Sequence, residues 1–248
     1  NPSFDSNWDG WTYTVSRGNP GIEGGSGNCA EFWNTGTFDI YQEIPTLADG
    51  YWRLEVDALY RPGNSDNVVS ALNVPDSILL DNEFFYIHGT GLNAEAKVVA
   101  WSDTINGAYL NIEENADVIS TLTKVDYTCN DFSFVAPNNR AGFKTFVAAE
   151  RYHNVIDFKY EAAMGTVRFG LRLEDDITTG ACWCPFDDFK LSYLGTEAPD
   201  AVQDINAATS GVRAAQIFSI DGRQQSGLRR GINIVRNANG TVQKVLVK

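Results

Sequence analysis

Three segments of the chain alternate apolar and polar residues, and this alternation constrains the fold more than any other feature. They are YWRLEVDALY at residues 51–60, VIDFKY at 155–160 and TVRFGLRLE at 166–174. A period of two sends successive side chains to opposite faces of a β-strand. The sequence therefore predicts antiparallel strands, each with one face on a core and the other in water.

Turn signals separate the strand-like segments, and helical periodicity is rare. Turn-forming sequences such as DSNWDG, RGNPG, LADG and RPGNSD recur along the chain. The best helical segment is 138–152, where Asn138 or Asn139 could cap the first turn. Strand-like sequence opens the chain with NPSFDSNWDGW and closes its strand-rich part with FDDFKLSYLG. We predict an all-β sandwich over residues 1–195 with one short helix.

The C-terminal part of the chain differs in composition. Residues 196–210 (TEAPDAVQDINAATS) are small, polar and aperiodic, which is typical of a linker. Residues 211–248 contain Asp221–Gly222 and Asn239–Gly240, two dipeptides that favour hairpin turns. We predict a small C-terminal β tail at 211–248, with too few strands to build a good core alone.

The net charge of −13 is unevenly distributed. Residues 211–248 carry seven Lys and Arg against one Asp, whereas residues 1–210 carry 12 Lys and Arg against 31 Asp and Glu, a net charge of −19. Phosphate backbones and anionic lipids would repel so acidic a body. No apolar run approaches the roughly 20 residues that a membrane-spanning helix needs. We therefore expect neither nucleic-acid binding nor membrane insertion.

The sequence offers little to support catalysis. It contains no GxSxG, P-loop or HExxH motif, and His88 and His153 have no recognisable Ser or Cys partner. Paired carboxylates can be imagined among 32 acids, but their separation cannot be read from the sequence. The four cysteines leave three disulfide pairings open, and a bridge between Cys182 and Cys184 would be strained. We predict a binding module and not an enzyme.

Several segments, taken in order, resemble a family of jelly-roll domains on surface proteins of gut and oral anaerobic bacteria. They are NPSFDSNWDGW, NCAEFWN, FDIYQEIPTLADGYWRLEVDALYRPG, PNNRAGFKTFVAAERYHNVIDF and FDDFKLSYLG. The match covers roughly 1–62 and 137–195, and the family is similar to galactose-binding-like carbohydrate-binding modules. The resemblance implies a jelly-roll β-sandwich that binds a glycan or polysaccharide, with neighbouring domains of a larger surface protein as further partners.

The tail carries a second resemblance. IFSIDGRQQ followed by RRGINIVRNANGTVQKVLVK is similar to the terminal domain that the type IX secretion route uses for sorting. This resemblance implies an exported protein at the cell surface, associated with the outer membrane. A leader would then have been removed, or the sequence would be part of a longer protein.

Exposed aromatic rings beside planar polar groups are the residue types that recognise sugars. Trp11 and Trp52 are predicted core residues, while Trp33, Trp101 and Trp183 are less committed to a core. We predict one polar sheet face that contains Glu31, Trp33, Tyr41 and Arg53 together with Glu55 and Asp57. The predicted ligand-binding residues are Glu31, Trp33, Tyr41, Arg53 and Trp101; an ordinary solvated sheet face remains the alternative.

The resemblance also implies a structural calcium ion that ties the first strand to the last. Asp5 follows the opening NPSF, and Asp187 and Asp188 lie on the closing strand. Carboxylate oxygens are the ligands that Ca²⁺ prefers. We predict Ca²⁺ at Asp5, Asp187 and Asp188; capping of hydrogen bonds at a strand edge is the alternative for the last two.

Non-catalytic glycan binding at the cell surface is the function that these observations favour. A structural or protein-adhesion domain without a sugar site is the second hypothesis. A glycan-active enzyme is the third.

Overall fold

A computed structural model of the chain describes residue 4 and residues 7–22, 29–63, 83–110, 115–121, 127–129, 134–174, 182–198, 214–219, 223–225, 228–237 and 242–247. Among these residues, no helix has the length and apolar character needed to cross a membrane. The chain divides into two compact units, Asn1–Thr196 and Glu197–Lys248.

Strands dominate the described residues. They are β1 (Thr12–Val15), β2 (Gly21–Ile22), β3 (Ala30–Trp33), β4 (Phe38–Ile44), β5 (Gly50–Ala58), β6 (Glu83–Gly89), β7 (Leu92–Lys97), β8 (Tyr109–Leu110), β9 (Tyr127–Cys129), β10 (Phe134–Pro137), β11 (His153–Tyr160), β12 (Val167–Leu173), β13 (Trp183–Gly195), β14 (Ala214–Ser219), β15 (Gln224–Gln225), β16 (Gly231–Asn237) and β17 (Val242–Val247). Two α-helices, α1 (Ala116–Ile119) and α2 (Arg140–Ala148), and a 3-10 helix at Ala162–Met164 complete the set.

Two five-stranded antiparallel sheets form the sandwich of the first unit. Sheet A has the order β1-β4-β12-β6-β7, and sheet B has the order β11-β5-β13-β3-β2. The chain passes from one sheet to the other at each step from β3 to β6, and again from β11 to β13. The unit is an all-β sandwich, as the sequence predicts, and these crossings are those of a jelly roll.

The main core lies between the two sheets and follows the predicted alternation. Leu54, Val56 and Ala58 of β5 are buried, while Arg53, Glu55 and Asp57 lie on the outward face of sheet B. Phe169 and Leu171 of β12 are likewise buried between the sheets. Trp11 belongs to this core, as predicted, and Trp52 packs against it half-buried.

A second core covers part of the outward face of sheet B. It contains Leu59, Trp101 and Trp183, together with Phe143 and Phe146 from α2. Helix α2 begins at its cap Asn139, whose side chain accepts a hydrogen bond from the Gly142 amide. The predicted helix therefore exists, although it ends at Ala148. Its apolar side chains, with those of β8 and β10 in the small sheet β8-β10-β9, bury the part of sheet B's outward face that they cover.

The second unit is a four-stranded antiparallel sheet of order β15-β14-β16-β17. Val235 and Val245 are buried on one of its faces together with Asn233. The Asn233 amide accepts from the Arg229 backbone amide and donates to the Arg229 carbonyl, which pins the connection that leads into β16. Residues 199–210 of the predicted linker at 196–210, and both predicted turn dipeptides, lie outside the described residues.

Candidate functional site

The two tryptophans predicted to contact a ligand differ in exposure. Trp33 is 58 % exposed on β3, so its ring is accessible on the outward face of sheet B. Trp101 is 0 % exposed, and its Nε1 donates to the Pro137 carbonyl at 2.7 Å. The prediction for Trp101 is therefore wrong, because the second core encloses the ring.

Glu31 and Arg53 lie on the outward face of sheet B, but each is engaged by protein groups. Glu31 accepts a hydrogen bond from Trp183 Nε1 at 2.8 Å and pairs with Arg140 at 3.5 Å. Arg53 donates two hydrogen bonds to Asp157, at 2.7 and 2.8 Å. Such a bidentate pair holds the guanidinium in a fixed plane.

Tyr41 does not share a face with these residues. It lies on β4, in sheet A, and the Arg168 guanidinium is stacked over its ring at 3.3 Å from the centroid. The prediction of one common face is wrong for Tyr41 because the chain crosses from sheet B to sheet A between β3 and β4.

The predicted calcium ligands contact a lysine. Lys144 Nζ of α2 donates to the buried Asp187 carboxylate and lies 3.8 Å from Asp188. Burial raises the pKa of Asp187 to about 6, while Lys144 opposes the shift. Asp5 lies outside the described residues, among which no group of three or more His, Cys, Asp and Glu is arranged to hold a metal. The two described carboxylates fit an ion pair with Lys144 better than a Ca²⁺ site.

A cleft of about 390 Å³ opens at one end of sheet A, where β1 and β12 end and β4 begins. The register places Thr14 of β1 opposite Asp39 of β4, and Asp39 opposite Arg172 of β12. The cleft is lined by Thr14, Val15, Ser16, Thr37, Phe38, Asp39, Arg172, Leu173 and Glu174. Its volume falls within the range of roughly 300–1,000 Å³ that is typical of small-ligand sites.

The cleft combines three kinds of polar group. Thr14, Ser16 and Thr37 supply hydroxyls, Asp39 and Glu174 supply carboxylates, and Arg172 supplies a guanidinium. Arg172 Nη2 donates to Glu95 at 2.7 Å, and its Nε lies 2.9 Å from Glu174. Hydroxyls donate and accept hydrogen bonds, carboxylates accept, and guanidinium groups donate. The lining can therefore satisfy a ligand that carries both donors and acceptors.

A hydrogen-bonded network continues from the cleft onto the outward face of sheet A. Asp39 accepts hydrogen bonds from Tyr86 Oη at 2.7 Å and Arg168 Nη2 at 2.5 Å. Burial, reinforced by the bond to Asp39, raises the pKa of Tyr86, so the phenol keeps its proton. Burial and the Arg172 charge lower the pKa of His88, whose ring lies tilted by 38° at 4.7 Å from the Tyr86 ring.

The other histidine lies on sheet B. His153 Nδ1 lies 2.8 Å from Asp57, and its Nε2 lies 3.3 Å from Glu55. Burial raises the pKa of Asp57, while the hydrogen bond with His153 opposes the shift. The partners of both histidines are therefore carboxylates or aromatic rings.

Sequence reasoning missed Asp39, Tyr86, Arg168 and Arg172 as site residues. The alternation in 166–174 does put Arg168 and Arg172 on the polar face of their strand. These arginines reach Asp39 and Tyr86 because β12 lies between β4 and β6, and this position depends on the order of strands in the sheet. The local pattern contains no signal for sheet order.

Comparison with known proteins finds likeness in structure and not in sequence. No family profile matches the chain, and no curated protein matches its sequence. Among solved structures, it is similar to TmCBM61 in complex with β-1,4-galactotriose, with a TM-score of 0.40 and 11 % sequence identity. The match covers 78 % of this chain and 95 % of that one. At this level of similarity, no functional conclusion is carried over from that structure.

Proposed function

We propose that the protein is a non-catalytic carbohydrate-binding module that holds a glycan in the cleft of sheet A. The observation that carries the proposal is the lining of the cleft, where three hydroxyls, two carboxylates and a guanidinium surround one opening of about 390 Å³. A sugar carries many hydroxyls, each a donor and an acceptor. A site with mixed donors and acceptors pairs with them at little desolvation cost.

The positions of these groups support recognition without rearrangement. Asp39 and Arg172 stand on adjacent central strands and are already fixed by hydrogen bonds to Tyr86, Arg168 and Glu95. A group held in place before binding loses little conformational entropy when the ligand arrives. The exposed ring of Trp33 lies on the outward face of sheet B, so the proposed site does not include it. We expect the site to act outside the cell or at its surface.

Isothermal titration against hits from a broad glycan array tests the proposal. We expect Thr14→Val and Thr37→Val together to weaken binding about thirtyfold, because each removes a hydrogen bond worth about 1 kcal/mol. Thr90→Val, at an exposed position in the β6–β7 turn, is the matched control and should bind normally. Trp33→Ala tests the outward face of sheet B separately.

Each outcome has a defined meaning. Loss of binding in the threonine variants, with the glycan recovered unchanged, supports the proposal. Binding that is lost only in Trp33→Ala would overturn the location of the site. If the folded protein binds no glycan on the array, the glycan-binding proposal is overturned and the adhesion hypothesis is favoured. Release of shorter sugars from the glycan would show an enzyme.

A further inference from the structure

The outward face of sheet A extends the polar surface of the cleft across all five strands. Thr12 and Thr14 face outward on β1, and Asp39 and Tyr41 do so on β4, in register with them. The same rows continue through β12 and β6 to the exposed edge strand β7. The outward residues of these strands are Arg168, Gly170, Arg172, Phe84, Tyr86, His88, Asn93, Glu95 and Lys97. Apart from Gly170, Phe84 and the buried Tyr86, these residues present hydrogen-bonding groups across the width of the sheet.

Gly170 lies at the centre of this face, between Tyr41 on one side and Tyr86 on the other. A Cβ added there would lie 1.8 Å from the Ile40 carbonyl oxygen, so no larger residue fits without a backbone shift. With no side chain at this position, Asp39 of β4 can reach Tyr86 of β6 across β12, and Arg168 of β12 bonds to the same carboxylate. The centre of the face is a fixed polar network.

Both arginines of this face are paired with carboxylates. Arg168 bonds to Asp39, and Arg172 bonds to Glu95. His88 has a lowered pKa and is uncharged at neutral pH. The arginines thus offer hydrogen bonds and little net field, and residues 1–210 taken together carry a net charge of −19. A negatively charged glycan would meet repulsion here, whereas an uncharged one would not.

We infer that the ligand is an uncharged glycan chain that runs from the cleft across the outward face of sheet A to β7, an inference that rests on the proposed function. Five strands at a spacing of about 4.8 Å give the face a width of about 19 Å. A single sugar in the cleft would leave the β6 and β7 groups unused. A chain of several units would engage them in addition to the cleft.

Titration with oligosaccharides of two lengths tests the inference. The probes are disaccharides and pentasaccharides of the galacto-, gluco-, xylo- and manno-series, with a galacturonic acid pentasaccharide as the charged member. We expect a pentasaccharide to bind at least about tenfold more tightly than the corresponding disaccharide, which corresponds to one or two extra hydrogen bonds. We expect the charged pentasaccharide to bind more weakly than its neutral counterpart.

Two variants locate the chain on the face. Asn93→Ala with Lys97→Ala removes outward groups of β7, at exposed positions far from the cleft along the rows. This double variant should lower affinity for the pentasaccharide about three- to tenfold and leave the disaccharide unchanged, because only the longer chain reaches β7. Lys159→Ala, on an exposed position of β11 in sheet B, is the control and should alter neither affinity.

The possible results separate this inference from the proposed function. If disaccharide and pentasaccharide bind equally, or the β7 variant binds both normally, the extended chain is refuted while cleft binding stands. Tighter binding of the charged pentasaccharide would refute the uncharged ligand. If none of the probes binds a folded protein, the failure is that of the proposed function.

Discussion

Glu83 is a buried carboxyl group whose protonation should make the stability of the first unit depend on pH. It is 2 % exposed at the start of β6, and its Oε1 accepts a hydrogen bond from Cys184 Sγ at 2.7 Å. Its Oε2 has no hydrogen-bond partner among the described residues. Burial therefore raises the pKa of Glu83 well above its usual value, and the weak thiol bond only partly opposes the shift.

The sign of the pH effect follows from this shift. The folded state keeps the Glu83 proton at pH values where the unfolded chain has lost it. The contribution of Glu83 to stability is complete below the unfolded pKa of about 4.3 and decreases as pH rises toward the folded pKa. One proton taken up on folding costs about 1.4 kcal/mol of unfolding free energy per pH unit in this window. Glu83→Gln removes that slope because the amide does not titrate.

Urea unfolding of the wild type and Glu83→Gln between pH 5 and pH 8 measures the effect. Tryptophan fluorescence reports the first unit alone, since all six tryptophans lie within it. We expect the variant to gain stability relative to the wild type as pH rises, at up to about 1.4 kcal/mol per unit. Glu43→Gln, at an exposed position of β4, is the control. A stability difference that is constant across this range, or that favours the wild type at pH 8, would refute the reasoning.

Three further predictions concern other contacts of the first unit. Lys144→Ala leaves the Asp187 carboxylate buried without its cation. We expect the free energy of unfolding in urea to fall by about 2–4 kcal/mol at pH 8 and by less at pH 5, where Asp187 takes up a proton. An equal fall at both pH values would contradict the ion-pair account. Arg151→Ala removes hydrogen bonds to the carbonyls of Thr104, Ile105, Gly107 and Ala108. We expect this variant to lower the free energy of unfolding by about 2–4 kcal/mol in the same assay, whereas the control Lys159→Ala should leave it nearly unchanged. We expect exhaustive EDTA treatment to leave the melting temperature unchanged, because Lys144 already neutralises Asp187; a fall of several degrees would support the predicted calcium ion instead.

The sequence predicts which side chains of the central strands point into the core, because this depends on local alternation of apolar and polar residues. The buried residues Leu54, Val56, Phe169 and Leu171 are those that the alternation assigns to the core. This orientation is enforced by the free energy of burying apolar area, which is read residue by residue. The existence of α2 and its cap at Asn139 are local features for the same reason.

The site could be predicted only in part because it depends on packing between distant segments. Tyr41 has the predicted outward phase, but its sheet is decided by the crossing that follows Trp33, where Asn34 and Gly36 adopt positive φ. Trp101 is buried because α2 and the small sheet cover that part of the outward face of sheet B. Asp187 and Lys190 pair with Asp57 and Glu55 of β5 across an irregularity in β13, which breaks the period of two. These three features depend on contacts between segments that are distant in the sequence, so the local residue pattern does not predict them.

Mapping of amide chemical shifts during titration with a neutral oligosaccharide tests the central claim most directly. The account predicts that the largest chemical-shift changes occur at the amides of Thr14, Ser16, Thr37, Asp39 and Arg172. The amide resonances of Arg53 and Asp157 on sheet B should not shift. Changes centred on Trp33 and Arg53, with the cleft resonances unmoved at saturation, would contradict it.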